Sequence, residues 1–205
     1  MTFEPSPDSE APPGRRRGRP RSLEHDQAIT TATVAELLEH GCSGLSMEAV
    51  AARAGVAKTT LYRRWPNRED LALDAVSSIK GPIPTPPGTS VRDDLLYLVR
   101  NTQAHWTDER HGRLMRRLAA DATGRPDLWR RFKEQVIEPR HRVYRDVLRR
   151  GAERGEIRSD VNPQWVIDLL VSPIVHAGIS HAEPTTDAQA VFGVDVVMSW
   201  LTPES

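Results

Sequence analysis

Two short helical stretches, residues 47–53 and 58–65, follow each other with only a few residues between them, and that spacing constrains the fold more than any other feature of the chain. Ser46 stands where a cap is needed, its hydroxyl placed to accept one of the backbone N–H groups that a helix start leaves unpaired. Ala54-Gly55-Val56 ends the first stretch, with Gly55 in the turn where a positive φ is required. So short a connection predicts a steep crossing rather than an antiparallel hairpin. Ala51 is small enough for close approach, and Val56 and Leu61 are placed to pack the pair together. What the second helix then exposes is Lys58, Thr59, Thr60, Tyr62 and Arg63, all able to donate hydrogen bonds to another molecule.

The remainder is helical in period with hardly any alternating strand pattern, so the fold class is all-α. Residues 1–22 are the exception. Five of the 16 prolines fall in the first 20 residues and apolar side chains are almost absent, which predicts a mobile tail unable to offset its ordering entropy. A first helix is expected over 24–40, with Ile29, Ala32, Val34, Leu37 and Leu38 inward and Gly41 as its stop. Asn67 caps a fourth helix that buries Leu71, Ala72, Ala75, Val76 and Ile79, and residues 81–88 form a linker with four prolines. Ser90 and Asp93 have capping-box spacing at the head of a fifth helix, and a sixth covers 109–122. Pro126 opens a seventh, which Pro139 should kink by displacing the carbonyl of Gln135. The resulting organisation is a basic tail over 1–22, a three-helix unit over 23–66, and a larger helical part over 67–205.

The last two helices carry more apolar surface than one core takes. Residues 163–181 are apolar in nearly every direction. The final helix, opened by the capping box Thr186-Asp187-Ala188-Gln189, has one stripe of Ala190, Val194, Val197 and Leu201 and an opposite one of Phe192, Val196 and Trp200. A second copy of the chain is the economical cover, which predicts a homodimer through Leu170, Ile174, Phe192, Val196 and Trp200.

The chain carries 28 basic and 28 acidic side chains, yet residues 11–68 hold ten basic against five acidic ones, a net of +5. A basic end that exposes donors on a short helix suits phosphates and base edges. The run from Gly44 to Leu71, GLSMEAVAARAGVAKTTLYRRWPNREDL, resembles the DNA-binding domain of the tetracycline-repressor (TetR) family. The resemblance covers residues 24–79. It implies an N-terminal helix-turn-helix domain joined to a C-terminal helical ligand-binding and dimerisation domain, in a transcriptional regulator that is usually a repressor. Its partners would be a near-palindromic double-stranded DNA operator, a small-molecule effector and a second copy of itself. By the same resemblance Ser46 touches a phosphate, Lys58 and Thr59 face bases, Thr60 and Tyr62 bind phosphate, Arg63 reaches either, and Arg68 grips the backbone. The family's effector cavity lies among helices 4 to 8, which follow the helix-turn-helix that serves as the reading head. Trp106, Met115, Leu118, Trp129, Phe132, Tyr144 and Trp165 are therefore candidates to line it, although such residues more often fill a core, with His176 as the polar candidate.

In the tail, Arg17-Gly18-Arg19-Pro20 resembles the core of an AT-hook, whose arginines lie in a narrow minor groove; the alternative is a basic arm acting through counterion release alone. The rival to the repressor reading is an effector-independent, dimeric architectural protein that relies on that arm. No catalytic, metal or cofactor site is expected. Asp168, Ser172 and His176 do line up at i, i+4 and i+8, but residues along one straight helix seldom converge on a reacting atom, and such a stripe suits a ligand or partner better. The lone Cys42 forbids an internal disulfide, and no apolar leader or spanning segment is evident, so no membrane partner and a cytoplasmic location are expected.

Overall fold

The computed structural model describes residues 20–180 and 183–202, the first four by backbone alone. Among them are α1 (Pro20–Gly44), α2 (Met47–Ala54), α3 (Lys58–Arg64), α4 (Arg68–Ile79), α5 (Val91–Thr107), α6 (Glu109–Ala122), α7 (Pro126–Phe132), α8 (Glu138–Glu153), α9 (Pro163–Ile179) and α10 (Asp187–Leu201). A π-helical turn, Lys133–Ile137, joins α7 to α8, and the described residues contain no strand. None of these helices is long and apolar enough to cross a membrane.

The caps fall where the sequence puts them. Ser46 Oγ accepts from Ala49 N at 3.2 Å, Asn67 Oδ1 from Asp70 N at 2.9 Å, and Thr186 forms the reciprocal box with Gln189. At Ser90 only half of the expected box forms. Its Oγ accepts from Asp93 N at 3.1 Å, but the shorter Asp side chain takes the hydroxyls of Ser90 and Thr89 instead of the cap's backbone N–H.

Gly41 interrupts α1 as expected, with φ 70 and ψ −179, although the helix starts at Pro20 and resumes briefly after the break. A Cβ at Gly41 would lie 2.6 Å from Asp121 Oδ2, which itself accepts from Cys42 N at 2.6 Å. The break is therefore also the point at which α6 docks on α1. Cys42 is fully buried there, and burial pushes its thiol pKa up.

The expected kink at Pro139 takes the form of the π turn. Proline has no N–H to give Gln135 and its ring would meet that carbonyl. The preceding turn widens, so that Glu138 N–H reaches back to Lys133 O, and Arg140 Nη1 donates to the Val136 carbonyl at 3.1 Å.

Two cores result. The first joins α1, α2, α3 and α4 to α6 and α7 through Leu37, Val50, Leu61, Leu71, Leu114 and Phe132. The second is built by α5, α8, α9 and α10 around Leu95, Leu98, Val147, Ile167, Val194 and Leu201. Trp106 packs against both. The packing thus does not part at residue 66, because α4 lays one face on α1 and carries the reading head on the same core as α6 and α7.

The final helix presents the two stripes read from the sequence. Ala190, Val194, Val197 and Leu201 are buried, while Phe192, Val196 and Trp200 are 71%, 51% and 44% exposed. In α9 the expected register needs correction. Leu170 and Ile174 share a helix face with Ile167 and Ala177 and are buried in the chain's own core, so they are not free for a partner. The outward apolar side chains include Trp165 and Leu169, 62% and 60% exposed, and Ile179 at its end. A helix apolar all round gives periodicity no means of choosing between its faces.

Candidate nucleic-acid interface and ligand cavity

The reading head is assembled from local geometry. Gly55 takes φ 66 and ψ 30, and its cap lets Val56 N–H reach Ala51 O at 3.0 Å, which turns the chain sharply into α3. Leu61 is fully buried as the pin that fixes the roll of α3. Lys58, Thr59, Tyr62 and Arg63 are exposed as a result, Thr60 and Ser46 are half-buried at the edge, and Arg68 is exposed at the start of α4. Ser46, Lys58 and Tyr62 are brought together around Glu48. Arg17 and Arg19 lie outside the described residues.

Sequence reasoning missed the part played by Glu48. Its Oε1 lies 3.6 Å from Lys58 Nζ and accepts from the Tyr62 hydroxyl at 3.4 Å, so the recognition surface is partly self-neutralised. A hydrogen bond from its own backbone N–H and the adjacent Lys58 hold the Glu48 carboxyl below the usual range. The clue was available, since Glu48 in the first turn of α2 must share an edge with the start of α3.

Behind α3 a series of polar contacts runs inward. Trp65 Nε1 donates to Asp74 Oδ2 of α4 at 3.1 Å, and the Arg64 guanidinium stacks on the indole at 4.3 Å. At the start of α4, Arg125 Nη2 donates to Glu69 Oε1 at 2.8 Å and Arg131 pairs with Asp70. Arg125 precedes α7 and Arg131 lies on it, so α7 and α4 are joined at two points.

A cavity of about 390 Å³ lies beyond α7, between α5, α6, the π turn, α8 and α9. Six of the expected residues line it: Trp106, Met115, Trp129, Phe132, Tyr144 and His176. Two do not. Leu118 shares the face of Leu114 and is buried in the first core, whereas Met115 and Ala119 take the cavity face of α6. Trp165 sits at the outer end of α9, on a shallow surface groove with Leu169 and Pro173. Asp168, Ser172 and His176 border both the cavity and this groove, and no hydrogen bond joins them among the described residues; Asp168 Oδ1 accepts instead from Gln164 at 2.8 Å.

The polar lining also includes Lys80, Thr102, Arg140 and His141. Lys80 follows α4 directly, and burial, then the nearby Arg140, bring its ammonium down to about 8. His105, just behind the wall, is brought down to about 4 by burial, then by Lys80, His111 and Arg140. Arg140 gives Nη2 to the Gly81 carbonyl at 3.1 Å, while its buried Nε has no partner. Pro139 announced the irregularity that turns Arg140 and His141 inward, but no periodicity marked them as cavity residues.

Elsewhere, ligand atoms of Glu36, Glu39 and His40 lie close enough to suggest a metal, but Arg53 already holds Glu36 at 3.3 Å and Glu39 at 3.1 Å.

Residues 29–75 match the family described as bacterial regulatory proteins, tetR family, and residues 85–197 match the tetracyclin repressor-like C-terminal domain. The HTH-type transcriptional regulator YdeS of Bacillus subtilis is 27% identical over 84% of this chain and 87% of its own length. A DNA-binding transcriptional repressor TetR of Mycobacteroides abscessus is 30% identical over 78% and 83%. The crystal structure of the TetR family transcription regulator SCO0332 superposes with a TM-score of 0.69 at 30% identity, covering 88% of this chain and all of that one. A helix-turn-helix at one end, a matching helical domain at the other and these relatives agree: the chain belongs to the TetR family of helix-turn-helix transcriptional regulators.

Proposed function

We propose that this regulator is a homodimeric repressor released from its operator by a small molecule bound in the cavity. The observation that carries the reading is the continuity between cavity and reading head. Trp129 and Phe132 form cavity wall on α7, Arg125 and Arg131 tie that helix to Glu69 and Asp70 of α4, and Asp74 holds Trp65 at the end of α3. A ligand that moves α7, or the end of α4 at Lys80, moves α3 with it. Such a route acts only if the ligand binds one arrangement more tightly than the other.

In this reading two copies meet through α9 and α10, covering Trp165, Leu169, Phe192, Val196 and Trp200. Their α3 helices enter successive major grooves of a near-palindrome, about 34–36 Å apart. Lys58 and Thr59 face bases, Ser46, Thr60, Tyr62 and Arg68 hold phosphates, Arg63 reaches either, and Arg17 and Arg19 add a minor-groove or electrostatic arm. The protein would work in the cytoplasm, with the DNA it reads. The cavity disfavours the effector-independent alternative, which needs a filled interior.

The test is fluorescence anisotropy of the full chain on DNA from immediately upstream of its own gene, over a salt series, beside Tyr62→Ala and a deletion of residues 1–22. Tight, salt-steep binding that collapses with Tyr62→Ala supports α3 as the reader. Equal affinity for random DNA, unchanged by Tyr62→Ala and lost with the tail, refutes it.

A further inference from the structure

The cavity is apolar around most of its wall and carries Lys80 and Arg140, and among the described residues no carboxylate pairs with either. The Lys80 ammonium has no hydrogen bond or ion pair among the described residues. Arg140 reaches only neutral carbonyls, of Val136 and Gly81, and its buried Nε is unpaired. His105 and His111, behind the same wall, each bury an unpaired Nε2. Asp168 is the one carboxylate of the lining, and it is exposed at the rim with Gln164 as its partner.

Two neutral features account for part of this arrangement. The last carbonyls of α4 favour a cation at Lys80, and the carbonyls on Arg140 hold its guanidinium in place. Partial charges of that kind orient cations without neutralising them, and a desolvated positive charge with no anion is costly to keep. Lys80 shows that cost, since burial is the first cause of its lowered pKa and Arg140 the second.

We propose, on the basis of the effector reading above, that the ligand is an amphipathic organic acid: an apolar body seated among Trp106, Met115, Trp129 and Phe132, with its single anionic group on Lys80 and Arg140. At about 390 Å³ the cavity lies toward the lower end of small-molecule sites, which run to roughly 300–1,000 Å³, so one compact ring system or short branched chain fits the apolar part. The acid group is the ion that these half-buried cations lack. It also lands on the residue that ends α4, and so acts on the helix that carries the reading head.

The experiment uses two fluorescent probes with one ring body, 8-anilinonaphthalene-1-sulfonate and N-phenyl-1-naphthylamine, which differ by the anionic group. Each is titrated into the full chain, into Lys80→Met and into Met115→Trp, and thermal melts check folding. Lys80→Gln serves as a second variant if Lys80→Met does not fold. The readout is the ratio of the two affinities, which cancels general apolar attraction. Loss of the cation is expected to lower the preference for the sulfonate by about tenfold or more, equal to about 1.4 kcal/mol, while Met115→Trp blocks both probes. A ratio unchanged by Lys80→Met, with both probes still blocked by Met115→Trp, overturns the acid and leaves the cavity reading standing. Probe binding that survives Met115→Trp, or no binding to the unaltered chain, overturns both.

Discussion

Gly178→Ala sets helix propensity against packing, and the structure decides the sign. Alanine inside a helix is favoured over glycine by roughly 0.8–1.0 kcal/mol, so from sequence alone this change near the end of α9 looks stabilising. In the structure a Cβ at Gly178 would sit against the six-membered ring of Trp106, 2.1 Å from Cε3 and 2.5 Å from Cδ2, closer than any real contact permits. The indole has little room to yield, because it packs against both cores and walls the cavity. α9 is held in place as well, with Arg116 Nη1 donating to the Gly178 carbonyl at 3.1 Å. Overpacking of this kind costs roughly 1–3 kcal/mol. Less the propensity gain, a net loss of up to about 2 kcal/mol remains, which for a chain of this size lowers the melting midpoint by up to roughly 8 °C.

Circular-dichroism melts and urea unfolding would measure that loss, and a double-mutant cycle with Trp106→Leu isolates its cause. Once the indole is gone the clash is gone, and Gly178→Ala should become neutral or stabilising. Such a reversal of sign between the two backgrounds follows only if the cost lies in this one contact. A Gly178→Ala protein that melts higher than the unaltered chain, or a loss of equal size in the Trp106→Leu background, would refute the reasoning.

Glu48→Gln frees Lys58 and Tyr62 from the carboxylate they share; operator binding should tighten several-fold at low salt, with an anisotropy salt slope steeper by up to about 0.9. His105 has its pKa brought from 6.5 to about 4, so the unfolded chain binds the extra proton: stability is complete above the unfolded pKa and falls as pH drops from about 6.5 toward 4, as urea unfolding across that range will show, with a smaller loss for His105→Phe. Phe192→Glu and Trp200→Glu alter side chains exposed in the single chain; each should keep its helical circular dichroism while sedimenting as a monomer and losing operator binding.

The reading head was legible because its constraints are local. Ser46, Gly55 and Leu61 act within one or two turns of their own positions, so the caps, the turn and the exposure of Lys58, Thr59, Tyr62 and Arg63 follow from spacing, while Thr60 is half-buried. The capping box at Thr186 and the two faces of α10 were readable for the same reason. Legibility ends where an outcome depends on a residue far along the chain. α9 is apolar all round, and only the positions of α5 and α10 decide that Leu170 and Ile174 turn inward while Trp165 and Leu169 turn outward. Leu118 and Met115 are both good core residues, three apart, and only the cavity separates their roles. Lys80 and Arg140 lie 60 positions apart and read as ordinary surface cations until the linker and the π turn bring them to one wall.

That long-range placement is also what a switch requires. The contacts from cavity to DNA surface pass through α4, which carries Glu69 and Asp70 at one end, Asp74 in the middle and Lys80 just beyond the other end. The pairs on Glu69 and Asp70 are partly exposed, so each contributes little stability, of order 1 kcal/mol or less. Weak links of this size suit a helix that must change partners, since strong ones would lock it. Driving a two-state equilibrium from 1:99 to 99:1 takes about 5.5 kcal/mol of differential affinity, more than these surface pairs supply together. The difference has to come from the ligand, and in the proposed reading a half-buried cation left without its anion supplies a site where an acid gains differential affinity. In the proposed reading the free chain keeps that charge uncompensated beside α4, so an acid that neutralises it would both fill the cavity and favour whichever setting of α4 brings Lys80 nearest.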